Sequence, residues 1–173
     1  VINCQRFGAS GLLTAFSGAK HSSGFDKNPF AFLFSRKVPH QFGSKERPIH
    51  EVERNLKLIE HLTDNSFERP CLHPSESDNA KVAQLNSSEK YVCIAPTSVW
   101  FTKQFPAHKW AELINRIPAD CQIFLLGGKE DIEPCENIRN MVEHPSIQNL
   151  AGKLSFLESA ALMKNAAMNY AND

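Results

Sequence analysis

After residue 90 the chain alternates short apolar runs with amphipathic stretches, and no other feature constrains its fold as strongly. Tyr91-Val92-Cys93-Ile94-Ala95 is continuous, and Cys121 to Leu126 is nearly so. Between them Trp110, Leu113, Ile114 and Ile117 fall at helical spacing, with Pro106 near the first turn. Ile132, Cys135, Ile138 and Val142 predict a second helix, and Ile147 to Leu150 a short third strand. Ser155-Phe156-Leu157-Glu158 has the pattern of a capping box opening a third helix, and Ala167 to Ala171 reads as a fourth strand. Strands apolar on both faces, each followed by a helix, belong to a parallel sheet with helices on both sides. The order βαβαβαβ therefore predicts an α/β fold.

The first half is less regular. Val1-Ile2-Asn3-Cys4 reads as a strand, and Leu12, Leu13, Ala15 and Phe16 as a short helix stopped at Gly18. The run from Phe30 to Phe34 follows turn residues, so its rings are expected to pack inward or line a pocket. Residues 51–64 predict an amphipathic helix with Val52, Leu56, Ile59 and Leu62 on one face. Residues 70–90 are polar and punctuated by Pro70, Pro74, Asn79 and Asn86-Ser87-Ser88, which suggests a boundary. The expected division is a first domain over 1–78, a linker over 79–89 and a second domain over 90–173.

Composition narrows the functional classes. Lysine plus arginine and aspartate plus glutamate number 19 each in 173 residues, so the chain lacks the basic footprint of a nucleic-acid binder or a polybasic membrane anchor. No apolar stretch approaches the roughly 18 residues of a membrane span. The five cysteines contain no Cys-x-x-Cys pair, and the seven histidines show no ligand spacing, so no metal site is predicted. Most histidines, His61 and His108 among them, are expected on solvated faces. Cys93 and Cys121 lie in apolar runs and are expected as reduced core residues, as in a cytoplasmic protein.

In open parallel sheets, ligands bind beyond the carboxyl ends of the strands. The first such end offers Thr97 and Ser98, then Lys103: two hydroxyls to donate and one ammonium to supply charge suit a phosphate. The helix after Pro106 would aim its first amides at the same place. A polar loop with a solvated lysine fits the same spacing, and no Walker loop is present. The second end offers Gly127-Gly128 before Asp131, which allows close backbone approach by a ligand or forms an ordinary turn. Trp100 and Phe101 can stack on a base or sugar ring, or pack down on the sheet. Asp173 follows the last strand and could hold sugar hydroxyls.

Taken together these segments resemble the lipopolysaccharide heptosyltransferases of glycosyltransferase family 9. Ala95-Pro96-Thr97-Ser98 with Thr102-Lys103-Gln104-Phe105-Pro106 and Trp110 is similar to the family's donor-phosphate loop. Leu125-Leu126-Gly127-Gly128 with Asp131 resembles its second donor loop. Asn149-Leu150-Ala151-Gly152-Lys153-Leu154-Ser155 resembles its Leu-Ala-Gly-Lys-Thr-Ser segment, and Met168 to Asp173 the strand entering Asp-Ser-Gly-Pro-x-His. In the first half, Gln5, Ser10-Gly11-Leu12-Leu13, Gly24-Phe25-Asp26 and His50-Glu51-Val52-Glu53-Arg54 resemble parts of the acceptor domain.

The resemblance implies a GT-B architecture of two Rossmann-like domains, acceptor-side first and donor-side second. It implies transfer of a heptose from ADP-heptose to the lipopolysaccharide inner core, with inversion and without a bound metal or cofactor. The donor contacts carried over are Thr97, Ser98, Lys103, Gly127, Gly128, Asp131 and Asp173. Glu130 or Glu133 is an alternative to Asp131, and the Ser98–Lys103 interval is one residue longer than the commonest pattern, so Thr97 and Ser98 stay interchangeable. The implied partners are the nucleotide-sugar donor and the lipopolysaccharide core, in the cytoplasm, with room for a peripheral contact at the inner membrane. The general base is expected upstream of Val1 and the chain to be a stretch of a longer protein, inactive and poorly folded alone. A GT-B nucleotide-sugar 2-epimerase and a non-catalytic nucleotide-binding module are the other readings of the same motifs.

Overall fold

A computed structural model describes residues 1–64, 66, 68–85 and 90–172. The chain forms two compact units, Val1–Pro70 and Cys71–Asp173. The division thus falls ahead of the expected linker, whose residues 79–83 are helical and whose residues 86–89 lie outside those described.

In the second unit, β4 (Tyr91–Ala95), β5 (Gln122–Leu125), β6 (Ile147–Asn149) and β7 (Met168–Ala171) form a parallel sheet in the order β6-β5-β4-β7. Its helices are α3 (Glu76–Ala83), α4 (Ala107–Ile114), α5 (Ile132–Asn140) and α6 (Phe156–Lys164). The pleat sends alternate side chains to opposite faces. Val92, Ile94, Ile123 and Leu125 pack with Trp110, Ile114, Cys135 and Ile138 of α4 and α5. Tyr91, Cys93, Phe124 and Leu126 pack with Val82 of α3 and with Ala161 and Leu162 of α6. Continuous apolar strands are what a sheet covered on both faces requires, so the α/β expectation holds.

Helix α6 opens as expected: Glu158 N–H donates to Ser155 Oγ at 3.2 Å, and Ser155 N–H to the Glu158 carboxylate at 2.7 Å. The stretch that suggested only a boundary contains a second capping box, Ser75 with Asp78, which starts α3. Lys81 then joins α3 to α6 through a 2.8 Å ion pair with Glu158.

The first unit uses more polar means. Strands β1 (Ile2–Asn3), β2 (Ser23–Phe25) and β3 (Arg36–Val38) form a parallel sheet in that order, beside α1 (Gly8–Ala15) and α2 (Glu51–Leu56). Helix α1 buries Gly11 and Thr14, whereas Leu13 and Phe16 are exposed, against the expected apolar face. The reason is a buried amide cluster. Asn3 Nδ2 donates to Thr14 Oγ1 at 2.9 Å, and a side chain at position 11 would overlap Asn28. Asn28 Nδ2 in turn donates to the Gln5 and Phe7 carbonyls.

Two further expectations are corrected here. The predicted helix over 51–64 ends at Leu56, because Leu58 and Ile59 N–H donate three residues back and tighten the chain. Leu58 thereby enters the core with Phe25 and Val38, its carbonyl held by Ser23 Oγ at 2.8 Å, while Leu62 stays exposed. The Phe run divides: Phe34 is buried and Phe32 exposed. Among the histidines, His61 and His108 are exposed, but His144 is buried, accepting from Ser146 N–H through Nδ1 and donating through Nε2 to the Pro118 carbonyl.

His40 is wedged edge-on between Phe25 and Phe42, with ring centroids 4.6 and 4.8 Å away, and Arg54 lies 4.8 Å from the Phe42 centroid. Burial, then the positive charges of Arg54 and Arg6, lower its pKa against the opposing pull of Asp26. The unfolded chain therefore binds the proton more readily than the folded one. This contribution is complete above the ordinary histidine value near 6.5 and is lost as pH falls through the lower folded value. An NMR titration should place the His40 midpoint below 6.5, and His40→Gln should flatten the fall in melting temperature on mild acidification.

The cysteines separate by burial. Cys4 and Cys71 are exposed and Cys93, Cys121 and Cys135 buried. Burial pushes Cys93 up to about 12 and, with the charges of Asp131 and Glu136, Cys135 to about 12 as well. The thiolate is the reactive form. Alkylation of the native protein at pH 8 should label Cys4 and Cys71 within minutes and the other three only on unfolding, as read by peptide mass mapping.

Candidate donor-binding site

The order β6-β5-β4-β7 reverses direction at β4, where successive strands first step one way and the chain then returns to the other side. Loops leaving such a point diverge and open a crevice at the carboxyl ends of the strands. A cleft of about 580 Å³ lies on the β5 side of that point, between the loop after β4 and the loop after β5, whose helices α4 and α5 cover the same face of the sheet. Thr97, Ser98, Val99 and Gln104 line it from one side, and Glu130, Asp131 and Pro134 from the other.

The loop after β4 is held at several points. Trp110 Nε1 donates to the Pro96 carbonyl at 3.2 Å from within the core. The Asn172 side chain also donates to that carbonyl and accepts Phe105 N–H at 3.3 Å. Gln104 Nε2 donates to the Ser98 carbonyl at 2.7 Å, closing the loop on itself. Buried or half-buried carbonyls are thereby satisfied by side chains rather than by a neighbouring strand.

The loop after β5 is built around Asp131. Its carboxylate accepts Gly128 N–H at 2.7 Å, and a side chain at position 127 would meet Asp131 Cβ at 2.5 Å. Gly127 is therefore required by the approach of Asp131, before any ligand is considered. Behind it, the resembled Asn149–Lys153 segment forms a turn with Gly152 at φ +71° and Gly152 N–H donating to the Gly127 carbonyl at 2.9 Å. Asn149 Nδ2 ties that turn to α5 through the Ile132 carbonyl and Glu136.

The structure thus brings Thr97, Ser98 and Asp131 to one cleft, joined by Glu130, whereas Glu133 does not line it. Gly127 and Gly128 shape the adjoining turn. Lys103 is exposed at the end of a short turn over Phe101–Lys103 and is not among the lining residues. Asp173 lies outside the described residues. Trp100 and Phe101 do not pack down on the sheet: they are 67% and 86% exposed. Gln104 and Asn172 lie inside the resembled motifs, but the motif reading gives neither a role; the polar residue after β7 is the available signal for Asn172. Among the described residues no cluster of His, Cys, Asp or Glu could hold a metal ion. No helix among them is long and apolar enough to cross a membrane.

The model of glycosyltransferase family 9 (heptosyltransferase) matches residues 1–173. The chain belongs to that family. No curated protein matches it by sequence. Among solved structures it is similar to ADP-heptose lipopolysaccharide heptosyltransferase II of E. coli, with a TM-score of 0.75 and 21% identity, over 100% of this chain and 56% of that one. It is also similar to the family 9 glycosyl transferase of Veillonella parvula, with a TM-score of 0.70 and 18% identity, over 94% and 48%. The E. coli heptosyltransferase WaaC with ADP-2-deoxy-2-fluoro heptose gives 0.67 and 18%, over 100% and 55%. These likenesses place the two parallel-sheet units in the GT-B heptosyltransferase fold. The chain spans about half the length of these structures.

If Asp131 builds the second loop, Asp131→Ala should release the Gly128 amide. Loss of a carboxylate cap of about 1–2 kcal/mol corresponds to roughly 5–30-fold faster exchange. Native-state hydrogen exchange should show this for Asp131→Ala and not for Glu130→Ala; equal rates would remove the capping role.

Proposed function

We propose that the cleft after β4 and β5 holds the nucleotide-sugar donor of a glycosyltransferase, and that the protein transfers a heptose from ADP-heptose to the lipopolysaccharide inner core. The observation that carries this is the meeting of Thr97 and Ser98 with Glu130 and Asp131 across one cleft at the carboxyl ends of β4 and β5 in a family 9 chain. Hydroxyls on one wall suit the diphosphate, and carboxylates on the other suit a ribose diol. The ADP and ADP-2-deoxy-2-fluoro heptose with which E. coli WaaC has been solved support the same donor class.

In this proposal the acceptor oxygen attacks the anomeric carbon from the face opposite the diphosphate. The new C–O bond forms as the bond to the β-phosphate oxygen breaks, the acceptor proton passes to a general base, and ADP departs. Negative charge then builds on the leaving diphosphate. Donors already in place stabilise it without reorganising during the reaction. Thr97 and Ser98 supply hydroxyl donors, and Lys103 supplies charge from a flexible four-carbon stem on the same loop. Asp131 acts chiefly by holding the turn, which leaves Glu130 as the carboxylate for sugar hydroxyls. The general base is assigned to no residue of this chain. The reaction would run at the cytoplasmic face of the inner membrane, where a lipid-linked core is assembled.

Lys103→Ala in the full-length protein should lower the transfer rate by about 10²–10³-fold, the usual cost of removing one charge-stabilising donor. Steady-state kinetics with ADP-heptose measures it. Transfer at the wild-type rate would refute the phosphate role of Lys103.

A further inference from the structure

Trp100 and Phe101 are unusual for large apolar side chains beside a polar cleft. With Val99 they make three consecutive residues that are 94%, 67% and 86% exposed. Their neighbour Phe105 has a ring partner, Trp110, edge-on at 5.2 Å, whereas Trp100 and Phe101 have none among the described residues. Nor is the tip a loose excursion. Trp100 N–H donates to Ser98 Oγ at 3.4 Å, Lys103 N–H to the Trp100 carbonyl at 2.9 Å and Gln104 N–H to the Phe101 carbonyl at 3.1 Å. Gln104 Nε2 then bridges back to the Ser98 carbonyl. The backbone holds both rings away from the sheet, in water. Exposed apolar surface held in place at the rim of a site commonly marks contact with a ligand or partner.

The position of the tip selects the ligand. Val99 lines the donor cleft, but the next two residues do not. The rings therefore stack on a group beyond the occupant of that cleft, one that meets it at its mouth. Resting on the donor reading above, that group is the acceptor. We propose that Trp100 and Phe101 form a stacking platform for a sugar ring of the saccharide acceptor. A pyranose presents an apolar face of C–H groups whose partial positive charge complements the negative face of an aromatic ring. An indole held by its own backbone loses little freedom when it accepts such a ring. The platform orients the acceptor toward the donor, making Trp100 and Phe101 determinants of acceptor specificity.

The test uses the full-length protein, ADP-heptose, and the same core saccharide as a lipid-linked acceptor and as a deacylated, water-soluble one. For Trp100→Ala we expect the acceptor KM to rise about tenfold with both acceptors, the donor KM and ADP Kd to stay unchanged, and Trp100→Phe to retain most of the affinity. Phe101→Ala should act in the same direction. An unchanged acceptor KM would overturn the proposal. A loss confined to the lipid-linked acceptor would overturn it in favour of contact with a lipid surface. A loss of ADP affinity would do so in favour of stacking on the nucleoside. Wild-type protein that neither binds ADP nor transfers heptose would instead overturn the donor reading itself.

Discussion

The Asn172 side chain joins the two strand ends on either side of the order switch, and the shape of the cleft depends on that link. Its backbone N–H continues the ladder to the Ala95 carbonyl, and its amide donates to the Pro96 carbonyl and accepts Phe105 N–H. Proline has no N–H, so Pro96 cannot extend strand pairing as a donor, and its carbonyl needs side-chain partners. Asn172 and Trp110 are those partners. A switch point opens a crevice because its loops diverge; here the divergence is limited by one amide that holds the start and the end of the same loop.

The remaining carboxyl ends are linked in series. Leu126 N–H donates to the Ile94 carbonyl, Leu150 N–H to Leu125 and Gly152 N–H to Gly127. Each loop begins from the position of its neighbour. The tolerance in this series is small: a methyl group at position 152 would lie 2.9 Å from Ile132 Cδ1 and 3.3 Å from Lys129 Cα, on a backbone already at positive φ. Gly127 and Gly152 of the resembled motifs thus serve the nesting of loops as directly as they could serve a ligand. A family motif in this fold is in large part a packing requirement.

The second unit was legible because its strands carry their information in apolar runs and its helix α6 in a local capping pattern. The first unit was legible only in its first strand and the starts of its helices, and for a physical reason β2 and β3 were not. Its β2 and β3 contain Ser23, Gly24, Arg36 and Lys37, and are flanked by Ser22 and Ser35, whose hydroxyls each accept the other's backbone N–H at 3.1 Å. Burial there is achieved by polar satisfaction, which leaves no periodic apolar trace. The same holds for α1, turned inward on Gly11 and Thr14 by Asn28. At the cleft, Thr97, Ser98 and Asp131 could be read because they sit directly after strands. Asn172 and Gln104 act on backbone carbonyls 76 and 6 residues away, and such partnerships appear only when the chain is folded.

These observations divide the surroundings of the cleft into a fixed part and an exposed part. The backbone after β4 and β5 is tied by amides, an indole and a carboxylate, so the hydroxyls of Thr97 and Ser98 start from positions set by the fold. Preorganised donors are most effective where charge develops during reaction, because they need not reorient. Lys103, Trp100 and Phe101 extend from the same loop into solvent. The loop therefore combines a backbone fixed near the strand end with side chains that stand exposed at its tip. That combination requires the exposed tip to be carried on a constrained backbone, which is the arrangement found between Ser98 and Gln104.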